Sequence, residues 1–498
     1  MAKYASLPVV VGSSMSGLLI SDALSREGVE HYLIGGDRPP SIPRLGESMN
    51  ECASPDLWRH YGRLYPEFFY PKNHISLLNG DVATIAHFGD PTQPFHETVE
   101  DFAHRPESFQ PLSAKYLIHI DRVGFDQVLY DKVCGEPNCR FIHERIRTIV
   151  HDPDSDCVAR IELENGEYIE SPRYVFDTSG PRGIVAEAAG VGRESISIEQ
   201  WVVWNHYRRE SNSATAQSPW WYLGTNLLRL DRDTDGIDGI SWLIPLGNTL
   251  SVGISIDSES DANARFSKED VMRLLDAAYA RRGMDYRCTF PDEVAIQDIR
   301  HRYFVRDRAY GGNWILVGGT FVQIWFPSSS GVWATTAVAG MVRTLLENPA
   351  FCGAQYESMM RGLLKFHGTL EAMIHGPVFR SRLDGYRFWA RWLALIPKRV
   401  SDYIYISSQL KSRNPLFWGI RYFTTFISRF PRSVLVFGGV ALIRCCRCTN
   451  PGDQAAAFPD YGNPGGFRFR NVVQGIPVAV NPALVASPDQ VPAEQVTQ

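Results

Sequence analysis

The stretch VVVGSSMSGLL, residues 9–19, sets Gly12, Ser14 and Gly17 at the spacing Gly-x-Ser-x-x-Gly between a β-branched run and a helical one. A dinucleotide-binding turn needs small residues at these places. The first makes the turn, the second lets the backbone approach a pyrophosphate, and the third lets helix and strand pack closely. Ser14 is the smallest change that adds a side chain, and its hydroxyl can donate to phosphate. Such a site also uses an acid at the end of the next strand, where it accepts from ribose hydroxyls. Counting along the chain puts Gly35 there, with Asp37 two residues on as the nearest carboxylate. A second stretch, NWILVGGTFVQIWFPSSSGVWATTAVAG from Asn313 to Gly340, reads as a strand, a turn at Gly318 and Gly319, a loop, and a helix beginning after Gly331. The start of a helix offers unpaired backbone amides and a positive dipole end to an anion. Both stretches also fit plain strand–helix turns with no ligand.

The elements that must position these residues are legible. LPVVVG, SGLLISDALSREG and HYLIGG form a strand, a helix closed by Gly28 and a second buried strand, which is one βαβ unit. DRVGFDQVLYDKV is an amphipathic helix opening at an Asp, and VARIELENGEYIESPRYVFDTSG is a hairpin that returns to a buried strand. Residues 76–120 predict antiparallel strands, and residues 198–257 a broad antiparallel sheet suited to the floor of a substrate chamber. Lys268–Arg282 predicts a helix, and residues 341–448 are mainly helical in pattern. His74 and His87 on strands, and Trp220, Trp221 and Tyr222, suit either a chamber wall or core packing.

A chain of 498 residues with 44% hydrophobic and 21% charged residues predicts a globular protein of several packed subdomains. A net charge of −5, with both signs spread along the chain, gives no electrostatic case for nucleic-acid binding. Twelve tryptophans fit a large core or an apolar cavity. No early stretch reads as a signal peptide, and the nine cysteines fit free thiols in a reducing cytoplasm. Cys445, Cys446 and Cys448 lack the second pair a zinc site needs, so no metal is expected. The segment Phe417–Ile443, apolar but broken by arginines, reads as a helical cap on the core or as a peripheral membrane contact.

Several blocks in order resemble the flavin-dependent halogenase and hydroxylase superfamily, most closely its halogenase-like branch. VVVGSSMSGLL stands at the pyrophosphate loop, RLGES at the halogenases' Gly-Glu-Ser block with Glu47, and DRVGFDQVL at the helix whose arginine lies near the flavin, here Arg122. YVFDTSG resembles the turn beside the adenosine, with Asp177. GISWLIPL resembles the second half of the halogenases' Trp-x-Trp-x-Ile-Pro signature, with Trp242 and Pro245 on the substrate side and Ile240 in the first Trp place. The Asn313–Gly340 stretch resembles the Gly-Asp-Ala…Ser-x-Gly-Val block. Gly318 and Gly319 fall on its Gly-Asp, while Ser329, Ser330 and Gly331 match the part beside isoalloxazine and halide. The resemblance spans about residues 7–345 and departs from the pattern at Ser14, Gly35 and Gly319.

This resemblance implies an α/β fold of glutathione-reductase type: a Rossmann-like FAD-binding domain, an inserted antiparallel sheet for substrate, and a mainly helical C-terminal region. The expected division is 1–197 for the FAD domain, with inserted strands at about 76–120, 198–300 for the substrate sheet, 301–345 for the return, 346–449 for the helical region and 450–498 for a disordered tail. The cofactor is FAD, delivered as FADH2 by a partner reductase, since the only glycine-rich βαβ start is at Gly12, and weakly held because contacts are altered. The partners are O2, a halide and an apolar or aromatic small molecule. Lys72 is the candidate for the halogenases' catalytic lysine. The alternatives are a monooxygenase or desaturase without Lys72, and a flavin fold that has lost redox function and serves as a cyclase or scaffold.

Overall fold

A computed structural model describes residues 3–4, 6–49, 53–72, 74–79, 82–87, 118–195, 199–209, 220–257, 265–323, 330–375 and 468–471. Five strands form a parallel sheet in the order Trp314–Leu316, Val175–Asp177, Val9–Val11, His31–Ile34, Cys139–Ile142. Parallel strands are covered on both faces, which is why Val9, Val10 and Val11 are all buried. The helix Met15–Arg26 leaves the end of the central strand. A Cβ on Gly17 would lie 1.8 Å from the Gly12 carbonyl oxygen, so only glycine lets the helix pack this close.

The helix Ser330–Ala339 lies beside Met15–Arg26, and the Ser16 and Thr335 hydroxyls meet at 2.9 Å. Gly318, at φ +58°, folds the turn against the start of this second helix: a Cβ there would meet the Gly331 carbonyl oxygen and Thr335 Oγ1, each at 2.9 Å. Two helix starts therefore stand together at the C-terminal edge of the parallel sheet. Neither has an acidic residue in its first turn.

Across from this edge stands a large sheet built on Gln200–Arg208, Thr249–Asp257, Gly239–Leu246 and Gly224–Leu230, antiparallel neighbours in that order. Alternation splits its residues between two faces. Val203, Tyr207, Leu228, Leu243 and Val252 pack with Val271, Leu275 and Tyr279 of the helix Lys268–Ala280. The opposite face carries Trp204, His206, Thr225, Leu227, Trp242, Ile244 and Ser251, and looks toward the parallel sheet. Gly253 is the small residue in this face: a Cβ would fall 2.2 Å from Trp242 Cζ2 and 2.6 Å from Trp204 Cβ.

The hairpin His74–Asn79 and Val82–His87 is part of the large sheet. His74–Asn79 pairs in parallel with Gly224–Leu230 and so extends the large sheet. Ile118–Ile120 instead pairs with Phe69–Pro71. Arg468–Asn471, within the tail expected to be disordered, is a strand parallel to Val82–His87. The helices Val342–Glu347 and Pro349–His375 follow the parallel sheet; Phe417–Ile443 and the cysteines at 445, 446 and 448 lie outside the described residues. Among the described residues no helix is long and apolar enough to cross a membrane.

The Gly253 contact generates a stability test. Gly253→Val forces Trp242 and Trp204 off their seats, and overpacking of this kind costs about 1–3 kcal/mol. The expected result is a lower urea midpoint with an unchanged slope.

Candidate active site

The loop 44–48 is tied down by Arg122, the first residue of the helix Arg122–Cys134, whose N-cap Asp121 accepts from the Val123 and Gly124 amides. Arg122 forks onto Asp126 one turn later, Nε to Oδ1 and Nη2 to Oδ2 at 2.8 Å each. Its Nη1 donates to the Leu45 carbonyl at 2.8 Å. Burial works against the Arg122 charge, and the Asp126 carboxylate more than offsets it, so the guanidinium pKa is raised. Arg44 adds its charge 3.8 Å from Asp126.

With the loop held, Glu47 reaches the large sheet. Its Oε1 lies 2.6 Å from His206 Nε2, and both side chains are buried. Ser48 sits 2.8 Å from the Thr225 hydroxyl. Nearby, burial pushes the Asp121 carboxyl up, His206 lowers it and Glu47 raises it.

A cavity of about 350 Å³ lies where the two halves meet. Ser14, Met15, Gly319, Val322, Gly331 and Val332 line it from the parallel-sheet side, and Gly46, Glu47, Ser48 and Arg122 from the loop. Thr225, Leu227, Trp242, Ile244 and Ile299 line it from the large sheet. Six residues singled out from sequence therefore converge: Ser14, Glu47, Arg122, Trp242, Gly319 and Gly331. His206 and Thr225 escaped the sequence reading; a short motif marks its own residues but not the strand that faces it.

The other candidates have different places. Gly12 and Gly17 shape the turn beneath Ser14. Asp177 is buried and closes its own turn, accepting from the Ser179 amide and hydroxyl and the Val185 amide; burial raises its pKa. Pro245 presents its carbonyl to His119, at 3.1 Å from Nδ1. Lys72 is buried and donates to the Met49 carbonyl at 3.0 Å, outside the residues that line the cavity. Ser329 lies outside the described residues, and Ser330 begins its helix.

The residues present fit most of an FAD molecule. The close-packed Gly12–Gly17 turn and the acid-free helix starts suit its pyrophosphate. Positions 319 and 331 look into open space, where a ring system can come close to the backbone. The ribose end differs. A Cβ on Gly35 would collide with Ser13 Cβ and Oγ at 2.4 Å, so no acid can stand there. Asp37 lies exposed on the surface, 2.9 Å from His143.

No family model matches this sequence, and no curated protein matches it. Solved structures do match by shape. The fold is that of flavin-dependent halogenases and related FAD-dependent monooxygenases. A mutant of the halogenase PltM in complex with FAD aligns at a TM-score of 0.57 and 13% identity, over 94% of this chain and 100% of that one. The flavin-dependent brominase Bmp2 aligns at 0.56 and 13%, over 87% and 100% of the two chains. A probable FAD-dependent monooxygenase from Pseudomonas aeruginosa, pqsL, aligns at 0.54 and 13%, over 81% and 100%.

The open space at Gly319 yields a gain-of-affinity prediction. Gly319→Asp adds a carboxylate facing the cavity, and a charge-assisted hydrogen bond to a ribityl hydroxyl contributes about 1.5–3 kcal/mol. The expected result is FAD binding tightened by roughly 10- to 150-fold in a fluorescence titration. Unchanged affinity would mean that no flavin hydroxyl comes within reach of residue 319.

Proposed function

We propose that this protein is an FAD-dependent oxidoreductase that uses reduced flavin and O2 to oxidise an apolar or aromatic small molecule, by halogenation or oxygenation. The observation that carries the reading is the meeting of two kinds of surface in one cavity. Glycine turns and helix starts at Ser14, Gly319 and Gly331 stand opposite the largely apolar sheet face of Leu227, Trp242 and Ile244. When bound, reduced FAD supplies the two electrons that O2 chemistry requires.

The protein's own residues have separable tasks in this reading. Ser14 and the amides after it hold phosphate, and Gly319 and Gly331 admit the ring. Arg122 holds the loop and adds positive charge to the wall. Trp242, Leu227 and Ile244 exclude water and give an aromatic substrate its contact area. The ribose end lacks its acid, which fits a flavin that is held loosely and delivered in reduced form by a separate reductase.

The position of Lys72 favours oxygenation over halogenation. Its amine is engaged by the Met49 carbonyl and does not border the cavity. A lysine that handles an oxidised halide must reach the chamber. Supplied with reduced FAD, 18O2, bromide and a panel of aromatic compounds, the protein is expected to yield 18O-labelled product, and Lys72→Met to retain it. A bromide-dependent product that vanishes in Lys72→Met would restore the halogenase reading. Failure of oxidised and dithionite-reduced FAD to bind at high micromolar concentration would remove flavin chemistry altogether and leave the non-redox alternative.

A further inference from the structure

This chain offers very different surfaces to the two ends of an FAD molecule. The cavity takes Ser14, Met15, Gly319 and Gly331 from its helix starts and turns, so a flavin ring and the phosphate next to it meet small residues, backbone amides and a serine hydroxyl. An adenosine beyond that phosphate has to run along the end of the strand His31–Ile34 and its parallel neighbour Cys139–Ile142. Among the described residues, the cavity draws none from 34–43 or 139–145.

That edge is closed on itself. At position 35, where a ribose-binding acid would stand, a Cβ would lie 2.4 Å from Ser13 Cβ and Oγ. Asp37 points outward, with a carboxylate oxygen 2.9 Å from His143 Nε2. The His143 ring stacks on Phe141 at 5.9 Å between centroids, and Phe141 meets Tyr130 edge-on. The Tyr130 hydroxyl donates to the Gly36 carbonyl at 3.3 Å. Arg38 forks onto Asp131, its Nε donating at 2.9 Å. Gln127 donates to the Pro39 carbonyl and to the Ser41 hydroxyl. Each of these polar side chains already has a protein partner. A ribose or adenine would have to displace one of them, and such an exchange at an exposed site gains little.

We propose that this protein holds its flavin by the ring, the ribityl chain and the adjoining phosphate, so that flavin mononucleotide (FMN) binds as tightly as FAD. The proposal rests on the reading of the cavity as a flavin site and narrows it: the ligand that the chain recognises is a flavin 5′-phosphate, and the adenosine adds no affinity. A ribose held by an acid would instead favour the dinucleotide by roughly 10- to 150-fold, the worth of a charge-assisted hydrogen bond.

The test titrates FAD, FMN and riboflavin, oxidised and dithionite-reduced, into the full-length protein by anaerobic calorimetry, with AMP as a competitor. FMN and FAD in the same redox state are expected to bind within about threefold of each other. Riboflavin, which lacks the phosphate, is expected to bind at least about tenfold more weakly than FMN. Millimolar AMP is expected not to displace FAD. Asp37→Ala is expected to leave FAD affinity unchanged, because an exposed ion pair contributes little. A larger preference for FAD overturns the proposal, as do displacement by AMP and a loss of FAD affinity in Asp37→Ala that FMN does not share. A smaller gap between FMN and riboflavin overturns it too, since the phosphate is then not held. The flavin reading fails separately. An FAD preference leaves that reading standing and removes only this proposal, whereas no binding of any of the three flavins at high micromolar concentration removes both.

Discussion

The site depends on a guanidinium that serves the protein before it serves any ligand. Arg122 spends two donors on Asp126 in its own helix and one on the Leu45 carbonyl, which ties the loop 44–48 to the helix. Backbone bonds hold the end of the loop as well, from the Ile120 amide to the Glu47 carbonyl and from the Met49 amide to the Ile118 carbonyl. With these ties, Glu47 meets His206 and Ser48 meets Thr225. Gly46 takes a left-handed φ of +89° to let this happen, and a side chain there would press on Arg122 Nη1 at 3.0 Å. A buried carboxylate–imidazole contact is a costly arrangement that persists only when both partners are held in place. Arg122 supplies that hold on one side and the register of Gln200–Arg208 with Thr249–Asp257 supplies it on the other.

Two helix starts give the opposite wall its character. They lie together because Gly17 packs on the Gly12 carbonyl and because Gly318 turns back against Gly331 and Thr335. The contacts with the Gly12 and Gly331 carbonyls are backbone contacts and do not depend on the side chains around them; the Thr335 hydroxyl is the one side-chain partner among them. The same geometry gives the edge its anion-facing amides although neither position 35 nor position 319 carries an acid. Ser13 occupies the space that an acid at position 35 would need, while position 319 remains open. The two departures are thus different in kind: one is closed by packing and the other is a vacancy in the lining.

The large sheet separates stability from chemistry by alternation. One face is sealed by Lys268–Ala280 and forms a core of its own. The other face is free to carry His206, Thr225 and Ser251 among tryptophans because it borders a cavity rather than a second apolar layer. Pro245 marks the boundary of this arrangement. It lies past Leu243, the last residue of its strand paired to Gly224–Leu230, and its carbonyl turns to His119.

Local pattern alone determined much of this protein. The βαβ unit around Gly12, the helix beginning at Arg122, the hairpin ending at Asp177 and the strand–turn–helix around Gly318 all follow from periodicity, caps and glycine turns, which are short-range properties. The order of short motifs was enough to point to the fold, and six of the residues they marked do line one cavity. What only the tertiary structure decided was which surfaces face one another. Lys72 sits at a spacing that suits catalysis, and only the three-dimensional structure shows that it is buried and that its amine donates to the Met49 carbonyl. Asp177 reads as a ligand contact, and the structure adds that it accepts from the amides of its own turn. His119, Thr225 and His206 carry no motif, because their meaning comes from partners 106 and 159 residues away in sequence. Hydrogen-bond direction and burial are properties of such distant pairs, and no window along the chain contains them.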